Sequence, residues 1–191
     1  MRNLKKKYSI KVPKNIKILY CDKKNLITFV GPLLTKSLQL EIKLLLIRES
    51  NLIIATNLPA DQKSIISSKN SKRLQGTTIA KIKQILTEVT YVLSRKLKLV
   101  GVGYRAFPYE NLANQLYLKL GYSHLVYFRI PVGLTSNCLK FTKIFIKGNE
   151  SYDLLTQTVS QIRNCKLPEP YKGKGILHDQ ETITLKKGKK I

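Results

Sequence analysis

Short apolar runs separated by turn-forming residues fill the first part of the chain. Ile16-Lys17-Ile18-Leu19-Tyr20, Leu26-Ile27-Thr28-Phe29-Val30, Leu38-Gln39-Leu40-Glu41-Ile42 and Leu52-Ile53-Ile54-Ala55 alternate or run apolar over strand lengths. Between them stand Asp22-Lys23-Lys24-Asn25, Gly31-Pro32 and Glu49-Ser50-Asn51. This pattern predicts a meander of antiparallel strands. Residues 57–73, with Pro59, Asp61 and Asn70, read as a polar connection before a helix. From Ile82 the period changes, and Ile85, Leu86, Val89, Val92 and Leu93 recur at spacings of three and four while Lys81, Lys83 and Glu88 face the other way. Such a helix is a natural cover for the apolar face of the meander.

The plan then repeats. Lys96–Arg105, Gln115–Leu120, Val126–Ile130 and Lys143–Lys147 are strand-like, with turns expected at Glu110-Asn111, Gly121 and Gly148-Asn149. Asn149 or Ser151 is placed to cap a helix in which Leu155, Thr158, Val159 and Ile162 share a face, with Leu154 at its edge. Strands then helix, twice, predicts an α+β fold of two tandem similar domains. Each is expected to be a mainly antiparallel sheet covered by one helix. The expected boundaries are 1–95 and 96–166, with an extended basic C-terminal arm over 167–191.

Charge narrows the partners. The 191 residues carry a formal net charge of +24 and an isoelectric point of about 10.1, with +16 in residues 1–100 and +8 in residues 101–191. A compact domain this positive gains from a polyanionic surface, nucleic acid above all. Anionic lipid fits less well: the longest apolar runs, such as Leu44–Ile47, are far short of a membrane span, and no helix-length stretch pairs an apolar face with a wholly basic one. Cys21, Cys138 and Cys165 are odd in number and lack Cys-x-x-Cys spacing, which argues for reduced thiols and against a disulfide framework or zinc site. The opening Met-Arg-Asn-Leu-Lys-Lys-Lys-Tyr-Ser-Ile runs directly into strand-like sequence and resembles neither a secretory signal nor a transit segment. Lys outnumbers Arg 28 to 7 and Ile occurs 20 times, a bias toward A/T-rich codons that organelles and some bacteria and parasites share.

Catalytic and cofactor readings fail on spacing. Gly101-Val-Gly-Tyr-Arg-Ala106 satisfies a dinucleotide-binding string, yet that string needs a helix after it, and Pro108 turns the chain instead. The two glycines suit a bulge or a close approach of strands better. His124 and His178 have no partner at metal-ligand spacing, and exposed polar or backbone-bonded roles suit both. Ser123 and His124 are neighbours that a strand would point to opposite faces. The 11 carboxylates are scattered, not clustered for Mg²⁺. We therefore expect no enzyme, no cofactor, no bound metal and no small-molecule substrate.

The closing stretch, Cys165 to Ile191, concentrates the basic character. Pro168 and Pro170 forbid a helix and hold the chain extended. Lys172 and Lys174 alternate with Gly173 and Gly175, which permit close backbone approach to a partner. Between Lys166 and Ile191, seven lysines stand against Glu169, Asp179 and Glu181. With little apolar material, the segment is expected to be ordered by a polyanion: Pro168–Gly175 on RNA, and Lys186, Lys187, Lys189 and Lys190 as a loose electrostatic end. A solvated, disordered tail is the simpler reading of such charge. Tyr171 either stacks on an unpaired base or packs under the loop.

Several of these segments together resemble one family. Lys96-Leu-Lys-Leu-Val-Gly-Val-Gly-Tyr-Arg-Ala106, Leu118-Lys-Leu-Gly-Tyr-Ser-His124 with Ile130-Pro-Val-Gly-Leu134, Ile146-Lys-Gly148 and Leu167-Pro-Glu-Pro-Tyr-Lys-Gly-Lys-Gly-Ile176 look like successive signatures of the bacterial-type large-subunit ribosomal protein L-six family. The first half is similar in Val12-Pro13, Phe29-Val-Gly-Pro32 and the Gly76-Thr-Thr78 helix start. The resemblance implies two tandem α+β domains and a structural role in the large ribosomal subunit. It further implies contact with large-subunit rRNA near the factor-binding region and with neighbouring ribosomal proteins. Carried over by motif, the contact residues are Tyr122, Ser123 and His124 in the Gly-Tyr-Ser-His turn, and Pro170, Tyr171, Lys172, Gly173, Lys174 and Gly175 in the loop. Arg163, Lys166 and the terminal lysines join them. Bacterial relatives tend to carry arginines just before the prolines. Here the run is Asn164-Cys165-Lys166-Leu167, so Lys166 offers a point charge where a planar fork is usual. The family resemblance and the codon bias together point to a mitochondrial ribosome, with plastid or bacterial cytoplasm as alternatives and a non-ribosomal RNA-binding module or chaperone as the competing function.

Overall fold

The computed structural model describes residues 8–59, 68–108, 114–148 and 151–188. The chain divides into two compact units, Met1–Tyr91 and Val92–Ile191.

In the first unit, the apolar runs form β1 (Ser9–Lys11), β2 (Lys17–Cys21), β3 (Leu26–Val30), β4 (Thr35–Gln39), β5 (Ile42–Ile47) and β6 (Leu52–Pro59), followed by α1 (Ser68–Thr90). The strands divide between two antiparallel sheets, ordered β1-β6-β5 and β2-β3-β4, where the sequence pattern suggested one. The division falls at Leu40-Glu41. There the expected strand 38–42 breaks into β4 and β5, and the Leu40 N–H donates to the Asn25 carbonyl at 2.7 Å. Ile27, Phe29, Ile42, Ile53, Ile82 and Val89 are fully enclosed in the core.

Helix α1 starts at Ser68, inside what reads as a polar connection, and earlier than the Gly76-Thr-Thr78 start. Its buried stripe begins with polar side chains, Ser71, Gln75 and Thr78, before continuing through Ile82, Ile85, Leu86 and Val89. Hydrophobic periodicity cannot see those first turns. Gln75 is held there by donating to the Ala55 carbonyl at 2.9 Å. The helix also ends earlier than expected: Val92 is exposed and Leu93 begins a strand.

The second unit contains β7 (Leu93–Val100), β8 (Arg105–Pro108), β9 (Gln115–Lys119), β10 (Val126–Arg129), β11 (Leu134–Lys140), β12 (Lys143–Gly148), α2 (Tyr152–Asn164) and β13 (Gly175–His178). Its sheets are β10-β9-β8 and β11-β12-β7-β13, again antiparallel throughout. Helix α2 buries Leu155, Thr158, Val159 and Ile162, the face expected from spacing, and packs on β7, β12 and β13. Ser151 occupies its N-cap with extended backbone (φ −148°, ψ 133°), without a side-chain capping bond. The turns expected at Glu110-Asn111 and at Asn149 lie outside the described residues.

The strand expected over Lys96–Arg105 ends at Val100, and after a turn the chain resumes as β8. Two further strands escape the hydrophobic pattern. Strand β11 is mostly polar, with only Leu134 fully buried. Strand β13 belongs to the stretch expected to be an extended arm. It pairs antiparallel with β7, Gly175 opposite Val100 and His178 opposite Leu97, and it places Ile176 in the core. Beyond it, residues 181–188 run without regular structure.

Candidate nucleic-acid interface

The site is built around Tyr104, which the dinucleotide-like string delivers as a buried core residue at the start of β8. A turn closes here, the Tyr104 N–H reaching the Gly101 carbonyl at 3.3 Å. Gly101 (φ +147°) and Gly121 (φ +74°) both lie against the Tyr104 ring; a Cβ on either would sit 3.0 to 3.1 Å from it. The glycines therefore serve the close approach of the β7–β8 and β9–β10 connections.

That approach fixes the Gly-Tyr-Ser-His turn. Tyr122 projects from it into solvent, and its hydroxyl donates to the Cys165 carbonyl at 3.1 Å, just past the end of α2. The Lys166 Nζ stands 4.1 Å from the centre of the Tyr122 ring, within cation–π range. His124 stacks on the same ring, at 5.5 Å between centroids and 12° between planes. Two motifs more than 40 residues apart are thus joined by one tyrosine. Ser123 is exposed on the same turn.

The Pro-Glu-Pro-Tyr-Lys-Gly-Lys-Gly stretch closes on itself. The Lys166 carbonyl accepts the Ile176 N–H at 3.0 Å, the Lys174 carbonyl accepts the Glu169 N–H at 2.9 Å, and the Glu169 carbonyl accepts the Gly173 N–H at 2.8 Å. A Cβ on Gly175 would fall 2.7 Å from the Pro168 nitrogen and 2.9 Å from the Leu167 carbonyl carbon, so only glycine fits. The loop is therefore ordered by its own backbone bonds, not by a polyanion alone as its composition suggests. The chain then returns along it: the Lys186 N–H donates to the Pro170 carbonyl at 2.9 Å, bringing Lys186 and Lys187 beside the loop. Lys166 and Lys174 line a recess of about 480 Å³ with Tyr104, Tyr122, Leu167 and Glu169. Pro170, Tyr171 and Lys172 project to solvent. Tyr171 is 53% exposed, which leaves part of its ring open to solvent.

The tail's carboxylates are turned inward. Asp179 pairs with Lys98 at 2.9 Å and Lys96 at 3.1 Å, and hydrogen bonds from these two ammonium groups, Lys98 first, hold its carboxyl below the usual range. Glu181 receives two hydrogen bonds from the Arg163 guanidinium and one from the His178 N–H, and the Arg163 bonds chiefly lower its pKa. Arg163, expected at the contact surface, is accordingly engaged with Glu181. Among the described residues, no carboxylate pairs with Lys166, Lys172, Lys174, Lys186 or Lys187. Lys189 and Lys190 lie outside the described residues. Burial pushes the Cys165 thiol up, so it is protonated at neutral pH.

Sequence reasoning missed the residues that hold the tail, Lys96, Lys98 and Glu181, because the Lys98–Asp179 pair spans 81 positions and neither residue type is unusual. It missed Tyr104 for the same reason, although the paired glycines at 101 and 121 marked a close approach.

No protein-family model matches the chain. It is 34% identical over 180 residues to the large ribosomal subunit protein uL6 of Mycoplasma capricolum subsp. capricolum, covering 94% of this chain and 93% of that one. It is 37% identical over 183 residues to the uL6 protein of Geotalea daltonii, covering 96% and 95%. With the uL6 protein of Rhodopseudomonas palustris it shares 42% identity over 125 residues, 65% of this chain and 68% of the relative. On identity and coverage, and with an α+β architecture of two units, the chain belongs to the large ribosomal subunit protein uL6 family.

Proposed function

We propose that this protein is a non-catalytic structural constituent of the large ribosomal subunit whose second unit grips large-subunit rRNA, near the factor-binding region. The observation that carries the reading is the meeting of the Gly-Tyr-Ser-His turn with the Lys166–Ile176 loop through Tyr122, beside five lysines that have no carboxylate partner among the described residues. Lysines neutralise phosphates and release counterions, and exposed Tyr171 offers a flat face to an unpaired base. Ser123, His124, Pro170, Gly173 and Gly175 shape the contact; Lys189 and Lys190 extend it. Arg163 acts from behind, holding the tail through Glu181. Neighbouring large-subunit proteins are further partners.

The A/T-rich codon bias supports a mitochondrial ribosome; the bacterial source of the relatives equally supports a bacterial or plastid one. The competing role is a free RNA-binding module or chaperone. A resident protein should remain with intact large subunits through a high-salt wash, whereas a chaperone should be released. For the contact itself, Lys172→Ala with Lys174→Ala should weaken binding to a large-subunit rRNA fragment and flatten the dependence of log K on log salt by roughly 0.7 to 0.9 for each phosphate no longer neutralised. An unchanged slope would remove the loop from the interface.

A further inference from the structure

The sheet formed by β8, β9 and β10 has one face in the core and one in solvent. Ala106, Leu116 and Leu118 point inward and are completely buried. Alternation then sends Phe107, Tyr117 and Tyr127 to the opposite face. The register puts these three in one row: Phe107 opposite Tyr117, and Tyr117 opposite Tyr127. Phe107 and Tyr117 stack at 4.8 Å and 14°, and Phe141 extends the row with its ring 4.9 Å from that of Phe107. The row is open at both ends, Phe141 being 56% and Tyr127 64% exposed.

Cations flank it. Two residues from the aromatic row on one side, Arg105 stands opposite Lys119; two residues away on the other, Arg129 stands opposite Gln115. These flanking rows lie about 7 Å from the rings, given the rise per residue along a strand. Arg105 also reaches over the Phe141 ring at 5.9 Å. The three strands carry three cations and no carboxylate. Cross-strand aromatic pairing stabilises a sheet by itself, which accounts for Phe107 and Tyr117. It does not account for Tyr127 and Phe141, whose rings remain largely in water.

We propose that this face is a stacking platform for unpaired RNA bases, with Tyr127 and Phe141 taking bases at the two ends of the row and Arg105, Lys119 and Arg129 meeting the phosphates. A flat aromatic row between cations matches single-stranded RNA, whose bases supply π-faces and whose backbone supplies the charge. A protein partner would have to bring its own carboxylates to the same positions. The inference rests on the rRNA-binding reading above and adds a second surface to it.

The test uses the full chain at moderately high salt, where non-specific charge contacts are weak, with single-stranded oligouridine and a blunt RNA duplex of equal length as probes. Tyr127→Ala should weaken oligouridine binding about tenfold, the order expected for loss of one base–aromatic stack, with the salt slope and duplex binding unchanged. Tyr127→Phe should bind as the parent does. An unchanged thermal midpoint in both would place the effect on binding; Tyr127 is exposed enough that the fold should not depend on it. If Tyr127→Ala leaves oligouridine affinity unaltered while Lys172→Ala with Lys174→Ala lowers it, the platform is refuted and the loop interface stands. If neither lowers it, both fail. If Tyr127→Ala spares oligouridine binding but releases the protein from large subunits, the face holds a protein and the RNA proposal is overturned.

Discussion

In the first unit α1 runs 23 residues, about 34 Å at the usual rise, and packs against strands of both sheets; in the second α2 runs 13 residues, about 20 Å, and packs on β7, β12 and β13. The two units also use charge differently. The first takes a carboxylate into its interior, against the spacing that places Glu88 on the solvent face with Lys81 and Lys83: Glu88, on α1, is 1% exposed and is met by the ammonium of Lys36 on β4, with the Gln84 amide donating at 3.0 Å. The second keeps its carboxylates near the surface, where Asp179 and Glu181 tie the tail to Lys96, Lys98 and Arg163. In the first unit the edge of β6 is taken by β1, from the N-terminal side. In the second the edge of β7 is taken by the tail, through β13, and the same tail carries the lysines of the candidate interface. A similar plan thus gives one unit with an ion pair buried in its core, beside an exposed Lys43–Asp22 pair, and one whose ion pairs tie down a basic tail.

The contrast is broken most severely at Lys36. Lys36→Met removes the cation facing Glu88 and leaves a carboxylate in the core, at a cost of about 3 kcal/mol. Calorimetry should show one lowered transition, and amide exchange should rise in residues 8–59 and 68–91 while the second unit stays protected. Replacing both partners, Lys36→Met with Glu88→Leu, should recover most of the loss, because the penalty lies in a buried carboxylate that has lost its ammonium. Equal destabilisation of both units would show that the pair does not belong to the first core alone.

Gly175→Ala is the corresponding lesion in the second unit. The new methyl would meet backbone atoms of Pro168 and Leu167, which cannot swing aside as a side chain can, and φ +156° adds strain. A cost of about 2 kcal/mol is expected, from overpacking and strain together. Amide exchange should rise at Glu169, Gly173 and Ile176, whose N–H groups close the loop, and rRNA affinity should fall although no charge has been removed. A variant with normal loop protection would show that the close approach of Gly175 to Pro168 is dispensable.

What the sequence revealed, and what it hid, follows the same physics. Ile27, Phe29, Leu155, Val159 and Ile162 announce their elements because apolar burial repeats with the period of the element. Ser71, Gln75 and Thr78 hide two turns of α1 because polar side chains fill the buried stripe there. Strand β13 is hidden by its surroundings: Ile176-Leu177 is too short an apolar run to stand out among prolines, glycines and lysines, and only the free edge of β7 gives it a partner. The site was legible as motifs, since Gly121–His124 and Pro168–Gly175 stood out separately. Their junction at Tyr122 and Cys165, and the engagement of Arg163, depend on tertiary neighbours that no local spacing encodes.

The smallest effect is expected at the anchors of the tail. Asp179 and Glu181 both have folded pKa values below their ordinary ones, so their contribution to tail anchoring is fully present above the unfolded value of about 4 and is lost as pH falls below it. Acidification below pH 4 should therefore release residues 179–188 before either core opens, read as faster amide exchange at Asp179, Glu181 and Lys186, whose N–H groups are bonded in the anchored state. Glu181→Gln should reproduce part of this release at neutral pH, at a cost of about 1 kcal/mol typical of a partly exposed pair. It should also free Arg163, and with it one more cation. Anchoring and charge then pull in opposite directions on rRNA binding. If aiming the lysines is the tail's contribution, Glu181→Gln should weaken rRNA binding despite adding a positive charge; if raw charge decides, binding should tighten and the salt slope should steepen.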